Sequence, residues 1–386
     1  MTIRRFTLVL LVIVGILMAG YGTAWVASPD VRFISRAGME ETHILQSRRP
    51  INKMLKDPKL DPDLRNRLQL VLDVRDYAAT LGFAAGKTYT SYADVGRDTL
   101  LLVLSASPKD CLCPYIWKYP VVGRLPYKGY FDLAAGRKEA GRLESKGYDI
   151  YLRPSAAFST LGWFPDPLLS TAVEGDTVEL AATVFHEIAH NTLYVKSATP
   201  FNESFAQLAG YRAAEAFFRS RGDTASAQRA ADRWLDEVVL GEYYDSLAAR
   251  LDTLYHRAAG DTALVDAGRL EAAQWARQEL EDSVGPKLRT YQVGRLPDRP
   301  VNNARIIAAR IYRTRLALFE RWYEEHGNDI AASVAALSEL EKGAEGDEAF
   351  ERLEQAAAGS GGQGAGGKKS PKKSPPPSPP PQHPTK

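Results

Sequence analysis

Residues 184–207, VFHEIAHNTLYVKSATPFNESFAQ, impose a particular piece of architecture on any fold that contains them. The chain reads as one helix from Asp176, which is suited to cap it with Glu179 as a box-like partner, through to about Val195. At 3.6 residues per turn, His186 and His190 share one face of that helix, one turn apart. The stretch KSAT then makes a turn, with Thr199 placed to cap a second helix and Pro200 at its first position. A returning antiparallel helix brings Glu203 back about four residues, or roughly 6 Å, level with His190. Ala206, Ala209 and Gly210 are small enough to let the two helices approach closely.

Two imidazoles and a carboxylate converging in this way form a ligand set for one metal ion, and His186-Glu187-x-x-His190 is the H-E-x-x-H arrangement of zinc hydrolases. On the order of one chain in a hundred with this length and histidine content would spell the bare motif by accident. Its surroundings add weight, because Thr183, Val184, Phe185, Ile188, Ala189, Asn191 and Thr192 are all uncharged, as burial around a metal requires. Two histidines and Glu203 leave a fourth position open for water, which suits a catalytic rather than a structural zinc site. Glu187 leans towards the same side and is placed to act as the general base. An oxyanion-stabilising group is also needed. Tyr194, Tyr211, His256, Arg310 and Tyr312 are candidates, and Tyr312 is favoured.

The N-terminus is a second strong signal. Arg4 and Arg5 precede residues 6–27, which carry no charge and are long enough to span a bilayer. The charge placement puts the N-terminus in the cytoplasm and the body in the periplasm, a single-pass inner-membrane protein. Tyr21 and Trp25 fit an interfacial belt, whereas Gly22-Thr23-Ala24 could serve as a cleavage site, in which case the body is exported. Residues 1–28 are thus an anchor or signal segment, 29–357 the folded body, and 358–386 a Gly/Ser then Pro/Lys-rich tail that cannot build a core. The net charge is +2, and the tail holds five lysines and no acid, so the rest sums to about −3. That excludes a nucleic-acid footprint. Cys111 and Cys113 are separated by one residue, tight for a disulfide, and are expected to be incidental or otherwise a redox-sensitive pair.

Along the body, residues 31–82 read as helical, 98–107 as a strand and 115–131 as an irregular strand pair. A short helix ending at Gly147 and another strand follow, and nearly everything from Asp176 onward is helical. The expected fold is therefore α+β and predominantly helical: a small mixed sheet, the H-E-x-x-H helix, a Glu-bearing helix in a zincin-like core, and a long helical C-terminal part.

The blocks SRRPINKMLKDP, SYADVGRDTLLLVLSASP, YPVVGRLPYKGYF, AFSTLGWFPDPLL, HEIAHNTLYVKSATPFNESFAQLAGY and VNNARIIAARIYR resemble the bacterial family of predicted aminopeptidases, gluzincin-type zinc metallopeptidases anchored to membranes. The resemblance extends over most of residues 35–325. It implies that His186, His190 and Glu203 bind one Zn2+, that Glu187 is the base, and that a peptide is the substrate. It also implies that Ala157, Ser159, Thr160, Leu161, Gly162 and Trp163 lie along the substrate as an edge strand. The chain departs from the family in lacking a lipid-attachment cysteine near its N-terminus and cysteines flanking VVG. A zinc aminopeptidase is the leading expectation. A zinc endopeptidase, or a non-catalytic envelope-assembly or chaperone-like protein with a structural metal site, are the alternatives.

Overall fold

The computed structural model describes residues 2–119, 123–155, 167–294 and 299–360. Helix α1 (Thr2–Ala27) is long and apolar enough over Phe6–Ala27 to cross a membrane, and none of that stretch is buried in the fold. It stops at Ser28, because Pro29 has no N–H to continue the ladder and instead opens α2 (Pro29–Ser47). The Ser28 hydroxyl caps α2 by accepting from the Val31 N–H. The two helices fold back on each other: the Tyr21 hydroxyl donates to Ser35 Oγ, and Arg32 donates to the carbonyls of Trp25 and Val26 at the end of α1. Further along α2, Ile44 is buried against the body.

Next come β1 (Arg49–Pro50), α3 (Ile51–Met54), α4 (Pro62–Thr80), β2 (Ser91–Ala93), β3 (Leu101–Ser107), β4 (Trp117–Tyr119), β5 (Gly123–Leu125), β6 (Lys128–Tyr130), α5 (Leu133–Glu144), β7 (Asp149–Ser155), β8 (Leu168–Leu169) and α6 (Ser170–Val173). One small sheet is mixed, with β2 antiparallel to β1 and parallel to β8. A second has the order β6-β3-β7, all antiparallel, so β7 is an edge strand. Its register pairs Val103 with both Gly129 and Arg153, and Leu104 with both Lys128 and Leu152.

Opposed residues in an antiparallel pair point to the same face, and successive residues alternate. Leu104, Ala106, Tyr130, Ile150 and Leu152 therefore form one face, which packs on Ala140 and Leu143 of α5. Val103, Tyr151 and Arg153 belong to the other face, with Tyr127 just before β6 in phase with them. Cys111 and Cys113, expected to be incidental, are joined in a disulfide. The loop after β3 curls around the Ser107 hydroxyl, whose oxygen lies within hydrogen-bond distance of the carbonyls of both cysteines, the nearer being Cys113 at 2.9 Å. This curl brings their Cα atoms to 5.3 Å, within disulfide range despite the single intervening residue.

The remainder is helical: α7 (Thr177–Thr192), α8 (Thr199–Ser220), α9 (Thr224–Ala258), α10 (Thr262–Glu279), α11 (Asn303–Ile311), α12 (Leu316–Glu325), α13 (Ile330–Leu340) and α14 (Glu348–Ser360). The expected α+β, helix-dominated order holds. The main core lies where α7 and α8 meet α4, α9 and α12, around the fully buried Phe185, Phe201, Phe205, Trp234 and Phe319. Burying one such ring contributes on the order of 2–3 kcal/mol. Asp176 caps α7 as expected, accepting from the Val178 and Glu179 N–H groups, whereas Glu179 itself turns to Arg233.

Two local expectations are corrected. Helix α7 ends at Thr192 rather than near Val195, because the buried Asn202 side chain takes both backbone groups of Val195. Its Oδ1 accepts from the Val195 N–H and its Nδ2 donates to the Val195 carbonyl, each at 2.8 Å. Thr199 is the first residue of α8 rather than its cap. Ala198 holds the cap position and makes no side-chain bond there.

Candidate functional site

Helices α7 and α8 run side by side, and Gly210 sets their closest approach. A Cβ there would stand 2.8 Å from the Ala182 carbonyl oxygen and 3.3 Å from His186 Cβ, so only glycine fits without displacing α7. The expectation that small residues let the helices approach is thereby met at Gly210.

This approach brings the three expected ligands together. His186 Nε2 and His190 Nε2 lie 3.2 Å apart, and Glu203 Oε2 lies 3.4 Å from the first and 3.8 Å from the second. Donors bound tetrahedrally to one ion at about 2.0–2.1 Å stand roughly 3.3 Å from each other, so the three atoms fit a single small divalent cation. The set is two neutral-capable imidazoles and one carboxylate, all partly buried. His190 Nδ1 is buried with no hydrogen-bond partner among the described residues.

The electrostatics follow from burial and crowding. Burial works to lower the His186 pKa, but the hydrogen bond with Glu203, the charges of Glu187 and Glu203 and a bond with Gln207 together raise it above the ordinary value. Burial and the neighbouring His186 push His190 down to about 4, which keeps that ring neutral and its lone pair available. Burial would raise the Glu203 pKa, yet its hydrogen bond with His186 and the charges of the two histidines hold it below the usual carboxylate range.

Glu187 acts electrostatically on both His186 and Tyr312. Tyr312 follows α11 directly, and its ring centroid lies 6.5 Å from that of His186. Burial, then Glu203, pushes its phenol up to about 12 despite the nearby Arg153. The phenol therefore stays protonated and able to donate at neutral pH.

The backbone carrying Tyr312 is tied down on three sides. The buried Ser204 hydroxyl, adjacent to Glu203, donates to the Thr314 carbonyl at 2.8 Å. Arg313 pairs with the buried Glu237. Gly241 leaves room for the Arg313 carbonyl, which a Cβ would meet at 2.9 Å.

The other oxyanion candidates lie elsewhere. Tyr211 is buried and bonds Glu179, Arg310 pairs with Asp245, and His256 is exposed on α9. Tyr194 is 67% exposed and acts electrostatically on Tyr127. Ala157, Ser159, Thr160, Leu161, Gly162 and Trp163 lie outside the described residues.

Sequence reasoning missed three neighbours of the site. Gln207 bonds His186 from one turn beyond Glu203, a position that the i, i+4 rule could have flagged. Tyr127 precedes β6 and Arg153 lies on β7. Tyr127 feels Glu203, Arg153 and Tyr194, and Tyr312 feels Arg153 and Tyr127, so these side chains share one cluster with the Glu203 carboxylate. Only the sheet register reveals that grouping, and sequence spacing carries no trace of it.

No curated protein and no solved structure matches the chain. The family model described as "Putative aminopeptidase" matches residues 32–352, from α2 through α14 and including every residue of the site. The chain therefore belongs to the putative aminopeptidase family, which is named for peptidase activity.

Proposed function

We propose that the protein is a zinc-dependent peptidase, an aminopeptidase by preference, held at the periplasmic face of the inner membrane by α1. The observation that carries this reading is the meeting of His186, His190 and Glu203 on antiparallel helices at one-ion spacing, with Glu187 beside them. Two histidines and a carboxylate are the donor set of catalytic zinc, and a structural site would have no need of the extra Glu187. Zinc bound there would activate a water molecule and polarise the scissile carbonyl.

The chain's own residues supply the rest. The Glu187 carboxylate accepts the water proton and returns it to the leaving amine as the C–N bond breaks. The Tyr312 phenol donates a hydrogen bond to the oxygen of the tetrahedral intermediate, where negative charge develops. Gln207 orients the His186 ring, as a partner of a metal-ligating imidazole does.

The test is digestion of a peptide library with free and with blocked N-termini, each with and without a chelator. Cleavage of free N-termini alone, abolished by chelator and restored by zinc, is expected. Cleavage of blocked peptides at internal bonds would make the protein an endopeptidase, and cleavage undiminished by chelator would remove the zinc reading.

A further inference from the structure

The α11-side face of the β6-β3-β7 sheet places one cation beside the candidate metal site. Arg153 stands on edge strand β7 opposite Val103, in phase with Tyr151 and facing away from the α5 core. Helix α11 packs on β7 and β3. Its first turn places the Arg305 guanidinium over the Tyr151 ring, and its far end carries Tyr312 next to His186. Helix and strand run in the same sense, so Arg153, two residues beyond Tyr151, is brought towards Tyr312. Gly129, across Val103 from Arg153, contributes no side chain, and Tyr127 closes the same face.

Arg153 is only partly exposed, and among the described residues it has no ion-pair or hydrogen-bond partner. Other buried or partly buried arginines here are engaged: Arg67 by carbonyls, Arg212 and Arg313 by carboxylates, Arg269 by both. The charges at the site make the exception informative. A bound divalent ion would be balanced by Glu187 and Glu203, and Arg153 then leaves one uncompensated positive charge beside Tyr127 and Tyr312. A free amine next to it would be repelled. A carboxylate matches the guanidinium fork in both charge and shape.

We propose that Arg153 is a specificity-determining residue that docks a carboxylate of the substrate close to the scissile bond. The assignment rests on the zinc-peptidase reading for its substrate class. The carboxylate has two sources: the α-carboxylate of a di- or tripeptide, or the side chain of an aspartate or glutamate flanking the bond.

The experiment separates this assignment from the peptidase reading. In the full-length, zinc-loaded Glu187→Ala protein, calorimetry compares succinic monohydroxamate, which offers a carboxylate, with its primary amide. The carboxylate probe is expected to bind about 10- to 100-fold more tightly, the range of a charge-assisted pair. Adding Arg153→Gln should bring that ratio to about one. The amide probe reports whether the variant retains its fold and metal. Equal binding of the two probes, or a ratio that survives Arg153→Gln, overturns the proposal.

Turnover by the otherwise unaltered protein then identifies the source. Preference for di- and tripeptides over their C-terminal amides, expressed in KM, marks the α-carboxylate. Preference for Glu over Gln beside the bond, in peptides with a free N-terminus and an amidated C-terminus, marks the side chain. Cleavage with neither preference also overturns the proposal while leaving the peptidase reading intact. Discrimination between the probes without cleavage of any peptide supports the carboxylate site and rejects the peptidase reading.

Discussion

Gly210 faces the Ala182 carbonyl so closely that an added Cβ would stand 2.8 Å from the oxygen, and this contact sets the separation of the two helices that carry the ligand set. Gly210→Ala is expected to push α8 off α7, costing about 1–3 kcal/mol as overpacking of a dense core does. Glu203 would move with α8, so metal affinity should fall about 10-fold or more. Thermal unfolding and a competitive chelator titration measure the two effects. Unchanged affinity in the alanine variant would mean that the helix separation does not govern the site.

Asn202, next to Glu203, holds both backbone groups of Val195. Removing its side chain in Asn202→Ala strands a buried donor and a buried acceptor, a loss of about 2–3 kcal/mol. Denaturant unfolding should show it. Asn202→Asp should be similarly damaging, since a carboxylate keeps the bond from the Val195 N–H but faces the Val195 carbonyl without a donor. A neutral effect for either variant would contradict the role assigned to this turn.

Tyr312→Phe keeps the ring and loses the donor. Turnover of a peptide substrate is expected to drop about 10²- to 10³-fold, the cost of one oxyanion donor, with KM and metal content little changed. Steady-state kinetics checks this. An equal fall in metal content would recast Tyr312 as a packing residue of the site.

The convergence of His186, His190 and Glu203 was legible because helix periodicity converts spacing into position: four residues place His190 above His186, and a tight turn returns Glu203 to the same level. The end of α7 was not legible, because nothing local marks Leu193 as extended. The deciding partner, Asn202, acts from across the turn. Tyr312 could be favoured among five candidates but not placed, since its nearness to His186 depends on α11 and the turn after it packing over α8 and α9, contacts that no local spacing encodes. Tyr127 and Arg153 escaped notice for the same reason. Strand register and face decide which side chains meet, and both were fixed by pairing rather than by composition. The disulfide was not the favoured reading because one intervening residue is tight for a bridge, and the gathering of the loop around Ser107 is a tertiary feature.

Glu341 gives a pH dependence away from the site. It is 3% exposed at the end of α13, neither carboxylate oxygen has a hydrogen-bond partner among the described residues, and burial pushes its pKa up to about 7 in spite of Arg352. The folded protein therefore holds this proton more tightly than the unfolded chain does. Stability falls as pH rises from about 4.5 to about 7 and carries a constant penalty above, of about 1–2 kcal/mol after allowance for solvent screening. Glu341→Gln should raise the melting temperature at pH 8 and leave it nearly unchanged at pH 4. Equal shifts at both pH values would contradict the assignment.

The central claim is that His186, His190 and Glu203 hold one catalytic zinc ion and that Glu187 acts on the substrate rather than on the metal. The direct measurement is zinc content by elemental analysis, with peptide hydrolysis, in the full-length protein and in Glu187→Ala, His186→Ala and Glu203→Gln. The account predicts one zinc per chain in the unaltered protein and in Glu187→Ala, loss of hydrolysis in all three variants, and loss of zinc only in the two ligand variants. A chain that purifies without zinc and takes none up, or a Glu187→Ala protein that hydrolyses peptides at the unaltered rate, would contradict it.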